Sequence, residues 1–310
     1  MYHIIVNPSS KSGLAKKQWK ELKKILDDKK VTYIVHFTKS EKELRQYTKS
    51  ITDKLLFEHN GSANRLIVLG GDGTLNCVVG SIKDLEHTVV SYLPTGTSND
   101  FARATGISQD PVGMVSALKK GGVTRQCDIG LVRCGRKERR FVTSCGFGFD
   151  AATCDEVLRS PFKNIFNRLG LGKLIYCAIA LKQLLTLEPV SCDLYLDDKP
   201  PIHFNRLLFA SIMQQPYEGG GFKLCPDADP TDGLLDICVA HDLTPLQALP
   251  VFPKALAGKH TDCKGIRIYQ AKNVRIVASK PLCTHTDGEI CGHFSQLSLS
   301  THGQPLNYRK

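Results

Sequence analysis

The sequence predicts an α/β unit followed by an antiparallel all-β unit. Up to about residue 120, short apolar runs alternate with stretches of helical periodicity. Beyond Gly121-Gly122 come many short β-like runs separated by turn residues. Two runs of the first half end in small-residue turns that open helices, which is how open α/β sheets present a ligand-binding edge.

The elements follow in order. Tyr2–Val6 is an apolar strand closed by Asn7-Pro8. Leu14, Trp19, Leu22, Ile25 and Leu26 fall at helical spacing against a Lys-rich face, so 14–30 is a helix. Thr32–Phe37 is β-branched and aromatic, a strand. Ser40 with Glu43 forms a capping-box pattern for a helix to about Leu56. Arg65–Leu69 is a buried strand entering Gly70-Gly71-Asp72-Gly73, with a helix over Thr74–Ile82. Val89–Leu93 ends in Pro94-Thr95-Gly96, and helices follow at 99–105 and 111–119. Strands joined by helical crossovers imply a parallel sheet with helices on both faces.

In the second half, β-like runs are expected at 126–132, 140–144, 192–196, 204–213, 234–239, 265–271, 274–278 and 294–300. Helices are expected at 151–158, 172–187 and 244–256. The pattern reads as a sandwich or open barrel. The expected division is 1–123 and 124–301, with about 302–310 able to return to the first unit.

Composition narrows the partners. The 310 residues are 42% hydrophobic and 23% charged, enough to build a core, and the net charge is +11. That excess favours an anionic partner such as a lipid surface or a phosphorylated substrate, or serves solubility alone. The basic residues are scattered, without an Arg-rich arm, so nucleic acid is not the expected partner. Twelve cysteines include no Cys-x-x-Cys and fall mainly in apolar runs, consistent with buried free thiols in a reducing, cytoplasmic compartment. The longest apolar stretch, Leu174–Leu181, is far too short to span a bilayer, so membrane contact would be peripheral.

The chemistry-bearing segment with the clearest signal is Gly70-Gly71-Asp72-Gly73-Thr74-Leu75-Asn76, between a strand and a helix. Its glycines let backbone N–H groups approach an anion, and the helix N-terminus adds positive charge. Asp72 would share such a site with phosphate only through a cation, and Mg²⁺ is the natural mediator. A plain glycine-rich turn with an Asp cap would read the same way, and no Gly-Lys-Ser/Thr makes it a Walker loop. The second segment is Pro94-Thr95-Gly96-Thr97-Ser98-Asn99-Asp100, where Ser98, Asn99 or Asp100 can cap the next helix while Thr95 and Thr97 put hydroxyls at the same sheet edge. Gly146-x-Gly148-x-x-Ala151 matches a dinucleotide fingerprint but lacks the acidic residue downstream. Its glycines are expected to let the chain turn between domains. Asp287-Gly288-Glu289 read alone is an ordinary surface turn; on an extended strand its two carboxylates would point to one face, one as base and the other holding metal or water, a role that rests on the resemblance given next.

These motifs occur in one order: Asn7-Pro8 with Ser9, Ser10 and Gly13; GGDGTLN; PTGTSNDFAR; Cys145–Asp150; and Asp287-Gly288-Glu289. Together, over about residues 1–303, they resemble the diacylglycerol kinase catalytic domain and the bacterial soluble lipid kinases. The resemblance implies a phosphofructokinase-like α/β nucleotide-binding domain, a β-sandwich lipid-substrate domain, ATP and Mg²⁺, and an active site in the cleft between them. It places Asn7, Pro8, Ser9, Ser10 and Lys11 in a first nucleotide loop, and Thr38 at ATP. Gly70, Gly71, Asp72, Gly73, Thr74, Leu75 and Asn76 become the triphosphate loop, with Thr95, Gly96, Thr97, Asn99 and Asp100 nearby. Glu289 becomes the proton acceptor beside Asp287, and Asp72 joins them in catalysis. It also maps a magnesium loop onto Asp232, with backbone carbonyls of Asp229 and Leu234, although Thr231 stands where many members carry an Asp.

The expected activity is ATP-dependent phosphorylation of a lipid hydroxyl in phospholipid metabolism, with diacylglycerol as the leading acceptor. A NAD kinase shares GGDGT, and a non-catalytic nucleotide- or lipid-binding regulator is the alternative from another class. A homodimer is compatible with the family. Residues 160–187, mixing basic and apolar side chains, are the candidate lid toward the membrane, and a core helix packing on the sandwich explains the same pattern.

Overall fold

The computed structural model describes residues 1–58, 64–119, 123–161 and 172–310. The chain divides into two compact units, Met1–Ile129 with His302–Lys310, and Gly130–Thr301.

The first unit is built on a six-stranded sheet. Strands β1 (Tyr2–Val6), β2 (Tyr33–Phe37), β3 (Asn64–Gly70) and β4 (Thr88–Pro94) run parallel in the order β2-β1-β3-β4. The chain leaves β1 toward one side and β3 toward the other, so their carboxyl ends flank a topological switch point. Helices α1 (Leu14–Asp28) and α5 (Pro111–Lys119) cover one face, where Trp19, Leu22, Leu26 and Met114 pack on Ile4, Val6, Ile67 and Leu69. Ile5, Leu66 and Val68 point to the opposite face and are also fully buried. A sheet buried on both faces reads as continuous apolar runs, which is why these strands carry no alternation. Helix α2 (Glu41–Glu58) forms half of the expected capping box. The Ser40 hydroxyl accepts from the Glu43 N–H at 3.2 Å, whereas the Glu43 carboxylate accepts from Lys39 N–H instead of Ser40.

The division between units falls after Ile129, not at 123/124. Strand β5 (Thr124–Cys127) pairs antiparallel with the last strand, β15 (Leu306–Arg309), which itself lies parallel to β4. Asn307 fixes this edge: its amide donates to the carbonyls of Leu85 and Glu86, and its carbonyl accepts from Gln126 at 3.0 Å. The expected 126–132 strand is therefore two strands in two sheets. Residues 120–122, within the expected linker, lie outside the described residues.

The second unit is an antiparallel nine-stranded sheet. Its strands are β6 (Gly130–Cys134), β7 (Lys137–Phe141), β8 (Ser144–Gly148), β9 (Val190–Leu196), β10 (Ile202–Met213), β11 (Leu235–His241), β12 (Ile266–Ala271), β13 (Asn273–Thr286) and β14 (Glu289–Thr301). The two long strands close it. One half of β10 pairs with β9 and the other with β8, and β13 does the same, with register shifts at Phe204/Leu207 and Val277/Leu282. Bulges of this kind bend a strand from one layer to the next. The alternating inward residues Val190, Cys192, Leu194 and Leu196 meet Ile212, Ile237, Ile276 and Leu297 in the interior. Outside β10 and β11 a second apolar layer forms beneath helices α6 (Phe149–Arg159), α7 (Gly172–Thr186), α8 (Pro245–Ala248) and α9 (Val251–Ala257). The helix expected over 244–256 is thus two short ones: Thr244 opens the first with a full capping box and Pro250 caps the second.

Two further expectations are corrected. Ser144–Gly148 is a buried central strand, not a turn between domains. Gly146 is required there because a Cβ would strike Asp150 and His285. Cys177 is exposed rather than buried, although most of the described cysteines are buried free thiols as expected. Residues 162–171 of the candidate lid lie outside the described residues, and no described helix is long and apolar enough to cross a membrane.

Candidate active site

In the first unit the carboxyl ends of four parallel strands bring the sequence-predicted residues into one row. Thr38 N–H donates to the Val6 carbonyl, Asn7 N–H to that of Leu69, and Thr95 N–H to that of Gly70, all at 2.7–2.9 Å. Across this row the Asn7 side-chain amide donates to Thr74 Oγ1 at 2.9 Å, and the Ser10 hydroxyl donates to the Thr95 carbonyl at 2.8 Å. Pro8 and Ser9 continue the loop after β1, and Lys11 lies in the 3-10 turn Ser10–Gly13.

The two glycine turns touch through their backbones. A Cβ on Gly96 would lie 2.6 Å from Gly71 Cα, and one on Gly71 would lie 3.1 Å from Gly96 Cα. Side chains at either position would wedge the turns apart, so the small residues seen in the sequence serve this approach. Gly96 N–H donates to Asn99 Oδ1 at 2.9 Å, and Asn99 adopts a left-handed conformation with φ 52°. Asp72 links the turns from the other side. Its carboxylate accepts from the backbone N–H groups of Asp100 (3.2 Å) and Phe101 (3.4 Å), the first turn of α4 (Asp100–Thr105).

The turn after β3 is shorter than expected. Asp72 and Gly73 already belong to helix α3 (Asp72–Val79), with Gly71 as its cap. Gly70, Thr74, Leu75 and Asn76 are buried, so of this segment Gly71, Asp72 and Gly73 are partly exposed at the edge. Thr97 is exposed beside it, whereas Thr95 and Asp100 are buried. Among the described residues Thr95 Oγ1 has no hydrogen-bond partner. The α3 N-terminus, glycines without side chains at the turn and an adjacent carboxylate suit a phosphate chain carrying a divalent cation.

The carboxylates singled out in the sequence, Asp287 and Glu289, lie in the second unit. Asp287 and Gly288 are the two central residues of the β13–β14 hairpin, with φ of 48° and 80°. Both being positive is the type I′ pattern, and it removes the strand alternation on which a shared face depends. The expectation that Asp287 and Glu289 point one way is therefore corrected. Asp287 turns inward, where its carboxylate accepts from the N–H groups of Val142, Thr143 and Ser144, each at 2.8 Å. Burial pushes its carboxyl up to about 6, against the three amides that favour the anion. Glu289, half-buried, opens β14.

The acidic loop 226–234 is a pair of Asx-type turns. Asp229 Oδ1 accepts from the Thr231 N–H and hydroxyl, and Asp232 Oδ1 accepts from Leu234 N–H at 2.9 Å. Burial, then the charges of Asp232, Asp227 and Asp229, push the carboxyl of nearby Asp236 up to about 6. Such concentrated negative charge with oxygen donors suits a hard divalent cation held by Asp232 and the carbonyls of Asp229 and Leu234.

One cluster had no signal in the sequence. Asp150, Glu218 and His285, from three distant segments, place ligand-type atoms within 4.8 Å of one another. His285 Nε2 lies 2.7 Å from Asp150 and 3.5 Å from Glu218. Glu218 accepts from the Ser144 hydroxyl at a very short separation and from the Ser211 hydroxyl at 2.7 Å. Burial pushes Glu218 up to about 7, helped by Asp150. Burial alone would lower His285, but Asp150 and Glu218 hold it up at about 9. A long 3.3 Å bond from the Gly288 N–H to Nδ1 opposes protonation only weakly beside two carboxylates. The His285 ring sits between the two carboxyl groups, with Nε2 facing both and Nδ1 facing the Gly288 N–H.

An α/β unit followed by an antiparallel β unit is also the fold of a solved diacylglycerol kinase and a solved NAD kinase. Residues 1–132 match the diacylglycerol kinase catalytic domain, and residues 143–302 match the YegS C-terminal NAD kinase beta sandwich-like domain. The chain belongs to this bacterial diacylglycerol kinase-type lipid kinase family. It is 28% identical over 99% of both chains to the Bacillus subtilis protein YtlR, provisionally named a lipid kinase. A diacylglycerol kinase of Bacillus subtilis is 29% identical over 73% of this chain and 71% of its own length. A crystal structure of a diacylglycerol kinase from Bacillus anthracis, 18% identical, superposes with a TM-score of 0.70 over 99% of this chain and 96% of that one. An Archaeoglobus fulgidus NAD kinase, solved in complex with ATP, is 14% identical with a TM-score of 0.55 over 100% of this chain and 94% of its own.

Proposed function

We propose that this kinase transfers the γ-phosphate of Mg-ATP to the hydroxyl of a lipid at a membrane surface. The observation that carries the reading is the row of Thr38, Asn7, Gly70–Gly73 and Thr95 at the carboxyl edge of one parallel sheet, closed by the Gly71–Gly96 contact. Loop amides and the α3 N-terminus hold the phosphates, with Asn7, Ser10, Thr97 and Asn99 around them. Magnesium, when bound, neutralises phosphate charge beside Asp72. Phosphoryl transfer needs positioning and charge neutralisation more than covalent help. The acceptor hydroxyl must lose its proton as the new P–O bond forms, and Glu289 is the base. Asp287, with its carboxylate committed to three amides, holds the hairpin that presents Glu289. Asp232, with the backbone carbonyls of Asp229 and Leu234, would hold a second magnesium in a structural or regulatory role.

Purified protein with Mg-ATP and mixed micelles of diacylglycerols, monoacylglycerols, ceramides and sphingoid bases tests the reading. Phosphorylated lipid supports it. Transfer to none of them, with phosphate passing to NAD instead, replaces it by the NAD kinase alternative.

A further inference from the structure

Two thiols of the second unit meet beside the hairpin that carries Glu289. Cys134 ends β6 and Cys291 lies near the start of β14, and their side chains are hydrogen-bonded to each other. In the β13–β14 ladder Thr284 pairs with Gly292 and His285 with Ile290, so Cys291 is the extra residue of a bulge. A bulged residue has no partner in the ladder, so its side chain can be re-aimed without breaking strand pairing. As a thiol, Cys291 donates to the Glu289 carbonyl at 3.6 Å, and its sulfur lies 3.6 Å from Thr286 Oγ1. Cys291 is thus tied both to Glu289, two residues back, and to a second cysteine from another strand.

We propose that Cys134 and Cys291 form a peroxide-sensitive modification site, whose disulfide locks the β14 bulge onto β6 and slows phosphoryl transfer by displacing Glu289.

Exposure and charge assign the two roles. Cys291 is partly exposed, whereas Cys134 is buried in the apolar interior with Val132, Phe141 and Cys145. The bond from Cys134 holds the Cys291 thiol below its ordinary range against burial, with the Thr286 hydroxyl, Arg139 and His285 adding to it. The same bond, then burial, pushes the Cys134 thiol up. The thiolate is the nucleophile, so Cys291 reacts first and Cys134 resolves the product. Cys145 belongs to the same interior, but it is fully buried on β8 and burial pushes its thiol up, so it does not compete.

The chemistry balances with a peroxide as oxidant. The Cys291 thiolate attacks one peroxide oxygen, the O–O bond breaks, and a sulfenic acid forms while the other oxygen takes a proton and leaves as water or an alcohol. The Cys134 sulfur, losing its proton, then attacks the Cys291 sulfur. The S–O bond breaks, the departing hydroxide takes that proton and leaves as water, and the S–S bond forms. Two thiols supply two electrons, and the peroxide receives them. A dithiol restores the pair by exchange and is itself oxidised. Only Ile290 separates Cys291 from Glu289. The disulfide removes the thiol hydrogen that the Glu289 carbonyl accepts and draws the bulge toward β6.

The test treats reduced protein with hydrogen peroxide, removes the excess with catalase, and divides the sample between peptide mapping, thiol titration and the lipid-kinase assay. A peptide cross-linked through Cys134 and Cys291 is expected, with kcat lowered about tenfold or more, the ATP KM unchanged, and full recovery in dithiothreitol. Cys134→Ala should keep its basal kcat and form no cross-link, and its Cys291 should be trapped by dimedone as the sulfenic acid. Cys291→Ala should keep the same fraction of its untreated activity in peroxide. Cys177→Ala, which removes an exposed thiol outside the pair, should respond as wild type does. Absence of the cross-linked peptide from wild type, or no dimedone on Cys291 in Cys134→Ala, overturns the modification site. A cross-link with undiminished kcat overturns its control of Glu289. If the reduced protein phosphorylates no lipid, the kinase reading fails, and the peptide map still decides the modification site.

Discussion

Replacing Gly96 by alanine should disable nucleotide use more than replacing Gly71, although both glycines belong to the same contact. A Cβ on Gly96 meets Gly71 Cα at 2.6 Å and Asn99 Oδ1 at 2.9 Å, whereas a Cβ on Gly71 meets Gly96 Cα at 3.1 Å. Ordinary contact begins near 3.4 Å, so the turns must separate by about 0.8 Å in the first case and about 0.3 Å in the second. The obstacle is backbone, which cannot rotate away as a side chain can. Neither glycine has a left-handed φ, so steric crowding alone is being measured. Overpacking of this size costs about 1–3 kcal/mol of stability. Misplacing a phosphate-positioning turn by close to 1 Å costs on the order of 10²-fold in turnover. Gly96→Ala should therefore lose on the order of 10²-fold in kcat/KM for ATP, and Gly71→Ala roughly tenfold or less by the same scaling. Steady-state kinetics with varied Mg-ATP, beside thermal melts, give the answer. Wild-type ATP kinetics in a folded Gly96→Ala protein would show that the contact between the turns does not shape the nucleotide site.

Three shorter predictions follow from other parts of the structure. Asp287→Asn leaves one acceptor oxygen for three N–H donors and turns an amide toward them, so stability should fall by about 1–3 kcal/mol; an unchanged melting temperature would contradict the buried role given to Asp287. Burial lowers the pKa of His260, whose Nε2 contacts the Leu224 carbonyl at 3.1 Å. The stability tied to its neutral form is complete above the ordinary value of 6.5 and is lost as pH falls below it, so His260→Gln should flatten the acid limb of the denaturation profile. Magnesium without nucleotide should raise the melting temperature of the wild type and not of Asp232→Asn, because the oxygen ligands of the acidic loop do not depend on ATP; equal shifts in both would remove the ion from that loop.

The first unit was legible because its signals are local. Apolar runs such as Ile4–Val6 and Ile67–Leu69, each followed by a glycine or proline turn, report buried parallel strands and their exits directly. The ordered motifs likewise identified the edge that Asn7, Gly70 and Thr95 share. What the sequence concealed depends on long-range pairing. The unit boundary moved because β5 finds its partner in Leu306–Arg309, nearly 180 residues away. Gly146 looked like a hinge, yet it is a strand residue whose missing side chain makes room for Asp150 and His285. The facing of Asp287 and Glu289 was misjudged because a two-residue turn with two positive φ values cancels the period of two. The Asp150–Glu218–His285 cluster gave no signal as a cluster: Asp150 ends one of the ordered motifs, but the three residues share no spacing, and the closure of β8, β10 and β13 assembles them.

The central claim is that a phosphate-binding sheet edge and the Glu289 carboxylate act in one phosphoryl transfer. The most direct measurement is transfer of radiolabelled γ-phosphate from Mg-ATP to lipid by wild type and Glu289→Gln, with ATP binding measured in parallel. The account predicts labelled lipid from the wild type and a loss of at least 10²-fold in Glu289→Gln, with nucleotide affinity retained. Near-normal labelling by Glu289→Gln would contradict it.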